Sequence, residues 1–217
     1  MSNLIEHVKA SLVKTNNYES KIDNYILILD GMSGKKTRHF YNNICSLPNA
    51  RYLEIGVWKG STTCAAMCGN QITCVAIDNW SEFGGPKDEF INNFNKYIGA
   101  NNARFIESDC WSIDATSLGR FNIYMYDGNH TETSHFMALN HYLPALDDEF
   151  IYIIDDWNWK DVRNGSMDAI AKNNCKILYQ KEIFTTTDGA IPSHWGPGGF
   201  GKLGDWHNGI CIFVLQK

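Results

Sequence analysis

The sequence of 217 residues lacks the features that mark several classes of protein. No run of apolar residues approaches the length of a membrane span, and the polar residues 1–6 provide no signal-peptide core. Basic residues are too few for a nucleic-acid surface, since 19 lysines and arginines face 24 acidic residues. We therefore expect no nucleic-acid partner and no membrane partner.

Paired cysteine motifs are also missing, although the chain has seven cysteines. No CxxC pair is present, which disfavours a zinc site, and the odd number disfavours a disulfide framework. Most of these cysteines lie in apolar segments, so we expect reduced, buried thiols and a cytoplasmic location.

The order of apolar patterns predicts the fold class. Residues 1–50 carry apolar residues at helical spacing, and from residue 51 strand-like and helix-like segments alternate. The last two strand-like runs have no helix between them and should pair antiparallel. We predict an α/β fold: a Rossmann-like, seven-stranded, mostly parallel sheet with an antiparallel last strand, helices on both faces and an N-terminal helical cap. Residues 1–217 should form one domain, with the cap at 1–50 and the core at 51–217.

One helix of this pattern is particularly well marked. Inward-facing apolar residues follow the fourth strand from Phe136 to Leu146, at helical spacing throughout. We expect a single amphipathic helix over that stretch.

The segment YLEIGVWKGST, residues 52–62, reads as a strand, a turn at Gly56 and a helix that opens near Gly60. Such a unit holds nucleotide-like ligands at the end of an α/β sheet. A dinucleotide fingerprint would need glycine in place of Trp58 and Ser61, and no GK[ST] sequence is present. An adenosyl ligand without a pyrophosphate fits better, the alternative being an ordinary βα turn with two glycines.

An acidic residue follows the next buried strand, at Asp78. Its distance from the glycine turn suits a carboxylate that binds two ribose hydroxyls, a feature shared by NAD and SAM (S-adenosylmethionine) sites. A surface acid is the alternative.

Three carboxylates follow the fourth and fifth strands: Asp127 and the pair Asp155–Asp156. If those strands are neighbours, the side chains converge at one edge of the sheet, where a divalent cation such as Mg²⁺ would relieve their repulsion. Alternatively Asp127 contacts the ligand and the other two cap the next helix. His130 lies three residues after Asp127, and we assign both as catalytic, with the imidazole removing the acceptor proton. A purely local hydrogen bond is the alternative for His130.

A long connection at residues 188–208 contains six glycines, two prolines and several aromatic residues. We expect a mobile flap that closes over the acceptor, because long connections in compact domains are commonly functional. The tryptophans could instead pack the loop onto the domain or bury a homodimer contact. The predicted substrate residues are Trp157, His194, Trp195 and Trp206.

Four motifs in this order, EIGVWKGST, AIDNW, YDGNH and IIDDW, resemble the class I SAM-dependent methyltransferase family. The similarity is greatest to metal-assisted small-molecule O-methyltransferases, of the macrocin-type sugar and catechol-type branches. It implies metal ligands at Asp127, Asp155 and Asp156 and a base at His130, although the catechol-type pattern often has asparagine at 156. It also implies an adenine clamp after the third strand and a loop over the methionine end at 31–33. The residues expected to contact SAM are Met32, Ser33, Glu54, Gly56, Trp58, Gly60, Ser61, Thr62, Asp78, Asn79, Trp80, Asp109, Cys110 and Trp111.

The function that these patterns predict is O-methylation of a small molecule, such as a sugar, with SAM and a divalent cation. An NAD-dependent oxidoreductase and a catalytically silent SAM-binding protein are the alternatives. Trp58 and Ser61 argue against the first, and only turnover would exclude the second.

Overall fold

The computed structural model describes residues 2–186 and 204–217. A seven-stranded sheet runs through these residues in the order β3-β2-β1-β4-β5-β7-β6. Its strands are β1 Arg51–Ile55, β2 Thr73–Asp78, β3 Asn102–Glu107, β4 Phe121–Tyr126, β5 Leu146–Asp155, β6 Lys176–Ile183 and β7 Ile210–Gln216. The first five strands are parallel, and β7 lies antiparallel between β5 and β6. The predicted fold class is confirmed, including the antiparallel final strand.

Helices cover both faces of the sheet. They are α1 Asn3–Asn16, α2 Asn24–Ile28, α3 Lys35–Ile44, α4 Ser61–Met67, α5 Lys87–Tyr97, α6 Glu132–Tyr142 and α7 Lys160–Lys172. Residues of α1 to α5 form the apolar core on one face, and residues of α6 and α7 form the core on the other. Within the described part of the chain, none of these helices combines the length and apolar character needed to cross a membrane.

The helix predicted to extend from Phe136 to Leu146 is shorter than expected. It ends at Tyr142, a 3₁₀ turn follows at Leu143–Ala145, and Leu146 already belongs to β5. The reason is Pro144, which has no N–H to continue the helical hydrogen bonds and occupies the first turn of the 3₁₀ segment. The apolar residues at the end of the pattern therefore pack from a strand.

The backbones of β1 and β4 come into contact where both strands end. The N–H of Asp127 donates to Ile55 O at 2.8 Å. On the other side of β1, the N–H of Gly56 donates to Ile77 O, in β2, at 2.9 Å. Gly56 has φ +83°, and a Cβ there would collide with the carbonyl oxygen of Asp127. Only glycine satisfies both conditions, so the turn after β1 depends on it.

This contact yields a prediction for Gly56→Ala. Gly84 has the same φ of +83°, and a Cβ added there would meet no atom within 4 Å, so Gly84→Ala is a matched control. The left-handed backbone should cost both variants roughly 1–2 kcal/mol. Displacing the Asp127 carbonyl should cost Gly56→Ala about 1–3 kcal/mol more. Urea unfolding measures both, and equal losses for the two variants would contradict the contact.

Candidate active site

A cavity of about 360 Å³ opens along the ends of β1, β2, β4 and β5. This is the edge at which ligands bind in open α/β sheets, and the volume lies in the range of small-molecule sites. Most of the residues predicted from the sequence line it. They are Met32, Ser33, Gly56, Trp58, Ser61, Thr62, Asp78, Asn79, Trp80, Asp109, Cys110, Trp111, Asp127, His130, Asp155 and Asp156.

Two residues predicted to contact the cofactor, Glu54 and Gly60, do not line the cavity. Glu54 is fully buried within β1, where its carboxyl group accepts hydrogen bonds from the hydroxyls of Thr62 and Thr63 at the start of α4. Gly60 has φ +82° and packs against Phe90. Both residues therefore shape the turn between β1 and α4, and they affect the cavity only through that turn.

Asp78 holds the loop that follows β1. One of its oxygens accepts from the backbone N–H groups of Val57 at 2.8 Å and Trp58 at 2.9 Å. The other accepts from the N–H of Trp80 at 2.7 Å. A carboxylate has about four acceptor positions, so one remains for a ligand hydroxyl. Asp78 is thus part of the cavity and also a support for its shape.

Arg38 organises the turn over the other end of the glycine loop, a role that the sequence pattern did not indicate. Its buried guanidinium donates to the backbone carbonyls of Ile26, Leu29, Gly31 and Ser33. The Ser33 hydroxyl in turn lies 2.7 Å from the hydroxyl of Ser61, at the start of α4. Burial lowers the pKa of Arg38 to about 10, so the side chain stays charged at neutral pH. Met32 and Ser33 are held at the cavity by this network.

Strained backbone is concentrated at the cavity. The described residues include eight non-glycine residues with positive φ, and five of them line the cavity. These five are Trp58, Trp80, Phe83, Asp156 and His207. Side chains other than glycine, asparagine and aspartate adopt this conformation at a cost, so such residues mark sites whose geometry is imposed by their surroundings.

The predicted carboxylates do meet at the end of β4 and β5, but in two groups that share Asp156. One group comprises Asp127, His130 and Asp156, and the other Asp155, Asp156 and His207. In each group, atoms able to bind a cation lie within 4.8 Å of one another. The second group contains a histidine that the sequence analysis did not assign.

His130 bridges the two carboxylates of the first group. Its Nε2 lies 2.7 Å from Asp156 Oδ2 and 3.4 Å from Asp127 Oδ1. Burial alone would lower the pKa of this imidazole, but the hydrogen bonds to Asp127 and Asp156 outweigh it and raise the pKa to about 10. In this arrangement His130 is protonated and paired with the two carboxylates. It could accept a proton only if another positive charge near the carboxylates lowered its pKa.

Two buried carboxylate oxygens in the cluster have no hydrogen-bond partner among the described residues, Asp155 Oδ1 and Asp156 Oδ1. Asp155 is 4% exposed and Asp156 is 5% exposed. Burial and the nearby charges of Asp127 and Asp156 raise the pKa of Asp155 well above its ordinary value. Unpaired buried carboxylate oxygens require a proton or a cation, and an all-oxygen pair suits a hard divalent ion. The residues present therefore fit a metal.

Two tryptophans predicted to contact the acceptor are core residues instead. Trp157 is 1% exposed, packs on Phe213 and donates from its indole to Glu182 at 2.8 Å. Trp206 is 8% exposed and packs on Phe40. Neither lines the cavity, because each points into one of the apolar layers beside the sheet. The other two predicted residues, His194 and Trp195, lie outside the described residues, as does most of the predicted flap.

Other residues, not predicted from the sequence, line the cavity. Trp159 lines the cavity, and its ring lies 4.9 Å from that of His130. Tyr126, Phe83, His207 and Asn208 also line it. The signal for Trp159 was present in the sequence, as the second tryptophan of DDWNW, whereas His207 and Asn208 lie at the end of the predicted flap and were not assigned to the site individually.

Comparison with known proteins agrees with this geometry. A family model described as a methyltransferase domain matches residues 53–157, which span the glycine turn and all three carboxylates. The matched residues make up slightly less than half of the chain, and over that stretch the chain is similar to a methyltransferase domain. The match supports the prediction of a SAM-dependent methyltransferase that the motifs gave. No curated protein sequence matches the chain.

Solved structures share the fold of this chain at low identity. TrmN from Thermus thermophilus is 12% identical with a TM-score of 0.56, over 88% of this chain and 51% of that one. Cofactor-bound Rv0187 from MTB is 11% identical with a TM-score of 0.56, over 96% and 89%. A Klebsiella pneumoniae protein provisionally assigned as an O-methyltransferase is 12% identical with a TM-score of 0.55, over 100% and 91%. The chain spans about half the length of several matched structures.

Glu54 provides a test of the buried support beneath the glycine turn. Burial raises its pKa from 4.5 to about 7, although the hydrogen bonds from Thr62 and Thr63 lower it. The folded state therefore keeps this proton across a pH range in which the unfolded chain has released it. The stability that the protonated group supplies is fully present below pH 4.5 and is lost as the pH rises through about 7.

We expect the free energy of unfolding of the wild type to fall, relative to Glu54→Gln, by on the order of 3 kcal/mol across this window. Glutamine keeps the shape and the hydrogen bonds to threonine but does not titrate. Urea unfolding at both ends of the window measures the difference. Glu6→Gln, at an exposed position on α1, is the control and should parallel the wild type. Parallel curves for Glu54→Gln as well would show that Glu54 is ionised in the folded protein.

Proposed function

We propose that this protein transfers the methyl group of SAM to a hydroxyl group of a small molecule, such as a sugar, with the help of a divalent cation. The observation that carries the proposal is that the glycine turn lines the same cavity as Asp155 and Asp156, each of which has a buried oxygen without a hydrogen-bond partner among the described residues. A cofactor loop and a cation site are thereby adjacent, as metal-assisted methyl transfer requires.

The residues around the glycine turn suit an adenosyl cofactor. Asp78 has an acceptor position left for a ribose hydroxyl, and Gly56 lines the cavity without a side chain that could obstruct a ligand. Ser33 and Ser61 present hydroxyls at the other side of the loop. When bound, SAM supplies an electrophilic methyl group, and the contribution of the chain is to hold the acceptor oxygen in line with it.

The acceptor is expected beside His130 and Trp159, at the carboxylate end of the cavity. A flat indole there suits a sugar or aromatic ring. An RNA acceptor is disfavoured because the chain has a net charge of −5. The proposal therefore favours a small molecule, even though TrmN is among the similar folds.

Asp127, Asp155 and Asp156 would hold the cation, whose chemistry is to lower the pKa of a coordinated hydroxyl group. The cation would also compensate the charge of the carboxylates that now pair with His130. Relieved of that pairing, His130 could take the acceptor proton.

The two alternatives make different demands on the same cavity. An NAD-dependent oxidoreductase would need a pyrophosphate against the loop where Trp58 stands, with its backbone in the left-handed region. A catalytically silent SAM-binding protein would have no use for the unpaired oxygens of Asp155 and Asp156. Both observations favour the transferase.

The cofactor is tested by Asp78→Asn. Loss of the charge that faces the ribose should weaken SAM binding roughly tenfold to a hundredfold, the range for one hydrogen bond to a charged group. Calorimetric titration with SAM, its demethylated product and NAD measures this and separates the oxidoreductase alternative. Asp114→Asn removes a similar loop-capping carboxylate outside the cavity and is the matched control. A folded Asp78→Asn protein with unchanged SAM affinity would contradict the proposal that Asp78 binds the ribose of SAM.

The metal and the reaction are tested together by chelation. Incubation with a panel of hydroxylated small molecules should release demethylated SAM, and exhaustive EDTA treatment should abolish the release. Asp155→Asn should lose turnover even with added Mg²⁺, whereas Asp114→Asn should keep it. Turnover that survives chelation would assign the three aspartates to the alternative role of ligand contact and helix capping. Tight SAM binding without turnover of any acceptor would favour the silent binding protein.

A further inference from the structure

His207 is held against the carboxylates by a turn that joins the end of β5. Trp157 N–H donates to Gly209 O at 3.2 Å, and Asn158 N–H donates to Asn208 O at 3.0 Å. The carbonyl of His207 itself accepts from the Thr185 hydroxyl at 2.9 Å. The backbone of His207 is therefore tied to Thr185, and the two residues after it are tied to the residues that follow the carboxylate pair.

The three side chains of the second group are all buried and offer cation-binding atoms at close range. Asp155 is 4% exposed, while Asp156 and His207 are each 5% exposed. Their candidate ligand atoms lie within 4.8 Å of one another, and Asp155 Oδ1 and Asp156 Oδ1 have no hydrogen-bond partner among the described residues. Unsatisfied oxygens at this depth point to an occupant that supplies positive charge.

The histidine of the first group, His130, is less suited to bind a cation. Its Nε2 already lies 2.7 Å from Asp156 Oδ2 and 3.4 Å from Asp127 Oδ1, so this nitrogen is already paired. Asp156 can serve both groups, because Oδ2 pairs with His130 and Oδ1 is left for a cation. Of the two histidines, His130 pairs with Oδ2 of Asp156, and His207 belongs to the group that contains the two unpaired oxygens.

We propose that His207 is a ligand of the divalent cation, together with Asp155 and Asp156. This inference rests on the part of the proposed function that places a cation at the carboxylates, and it is independent of methyl transfer. Carboxylates and water alone favour Mg²⁺ or Ca²⁺, whereas an imidazole ligand shifts preference toward transition metals. The site should therefore bind Mn²⁺ and Co²⁺ in preference to Mg²⁺.

The test uses the full chain freed of metal by chelation and dialysis, without SAM or acceptor. Mn²⁺ and Mg²⁺ affinities are measured by calorimetry, and pulsed electron paramagnetic resonance of bound Mn²⁺ reports a coordinated imidazole through ¹⁴N coupling. We expect His207→Gln to weaken Mn²⁺ binding at least roughly tenfold, to lower the preference for Mn²⁺ over Mg²⁺ and to remove the ¹⁴N signal.

His130→Gln is the matched control, since it removes the other histidine of the cluster. It should keep the ¹⁴N signal and most of the preference for Mn²⁺. Thermal unfolding without metal shows whether each variant is folded. If His207→Gln does not fold, the His130→Gln protein decides the question, because loss of its ¹⁴N signal would overturn the inference.

Other results separate this inference from the proposed function. Tight Mn²⁺ binding that has no ¹⁴N coupling and is unchanged in His207→Gln would overturn the role of His207 and leave an all-oxygen cation site. Failure of the wild type to bind Mn²⁺ at all would overturn both His207 as a ligand and metal assistance. SAM binding and turnover are measured separately, and their results test methyl transfer independently of the role of His207.

Discussion

The contact between the backbones of Gly56 and Asp127 sets the layout of the site. Both residues follow the last residue of a central strand, and the missing Cβ of Gly56 lets the two chain segments lie against each other. The loop after β1, whose backbone N–H groups donate to Asp78, is therefore next to the loop that carries His130. A wider spacing would separate the proposed cofactor from the proposed acceptor, and in-line methyl transfer depends on that distance.

Charge balance is the second constraint on the site. Asp127, Asp155 and Asp156 stand together at the end of β4 and β5, with one cationic side chain, His130, bonded to two of them. The imidazole compensates part of the negative charge and leaves the inner oxygens of Asp155 and Asp156 without a partner among the described residues. A single added cation would complete this balance and release His130, which ties the proposed binding of metal to the proposed proton transfer.

Much of this arrangement could be predicted from the sequence because it follows from the periodicity of strands. The ends of parallel strands meet at one edge, so Asp78, Asp127 and Asp155 could be placed at the cavity without coordinates. The same periodicity explains why Glu54 does not line the cavity, since a side chain inside a strand buried on both faces points toward a covering helix.

The other differences from the predicted site lie in connections, where side chains do not alternate with the regular period of a strand or helix. After Asp155 the chain turns through Asp156 in a left-handed conformation, so that Trp157 enters the core and Trp159 reaches the cavity. The apolar pattern of the sequence does not show that an aspartate adopts the left-handed conformation. His207 was missed for a related reason: its place depends on backbone pairing between residues 157–158 and 208–209, far apart in the chain.

The left-handed residues around the cavity have a consequence for laboratory evolution. Trp80 and His207 are buried, so replacing either with glycine would also cost packing. At Phe83, which is 61% exposed, and at the partly buried Trp58, the same replacement would relieve backbone strain while removing a side chain from the cavity surface. A selection for heat resistance alone would therefore reward changes that dismantle the binding surface, and the trade-off would fall on these few positions rather than on the apolar layers. Libraries built for durability should hold them constant.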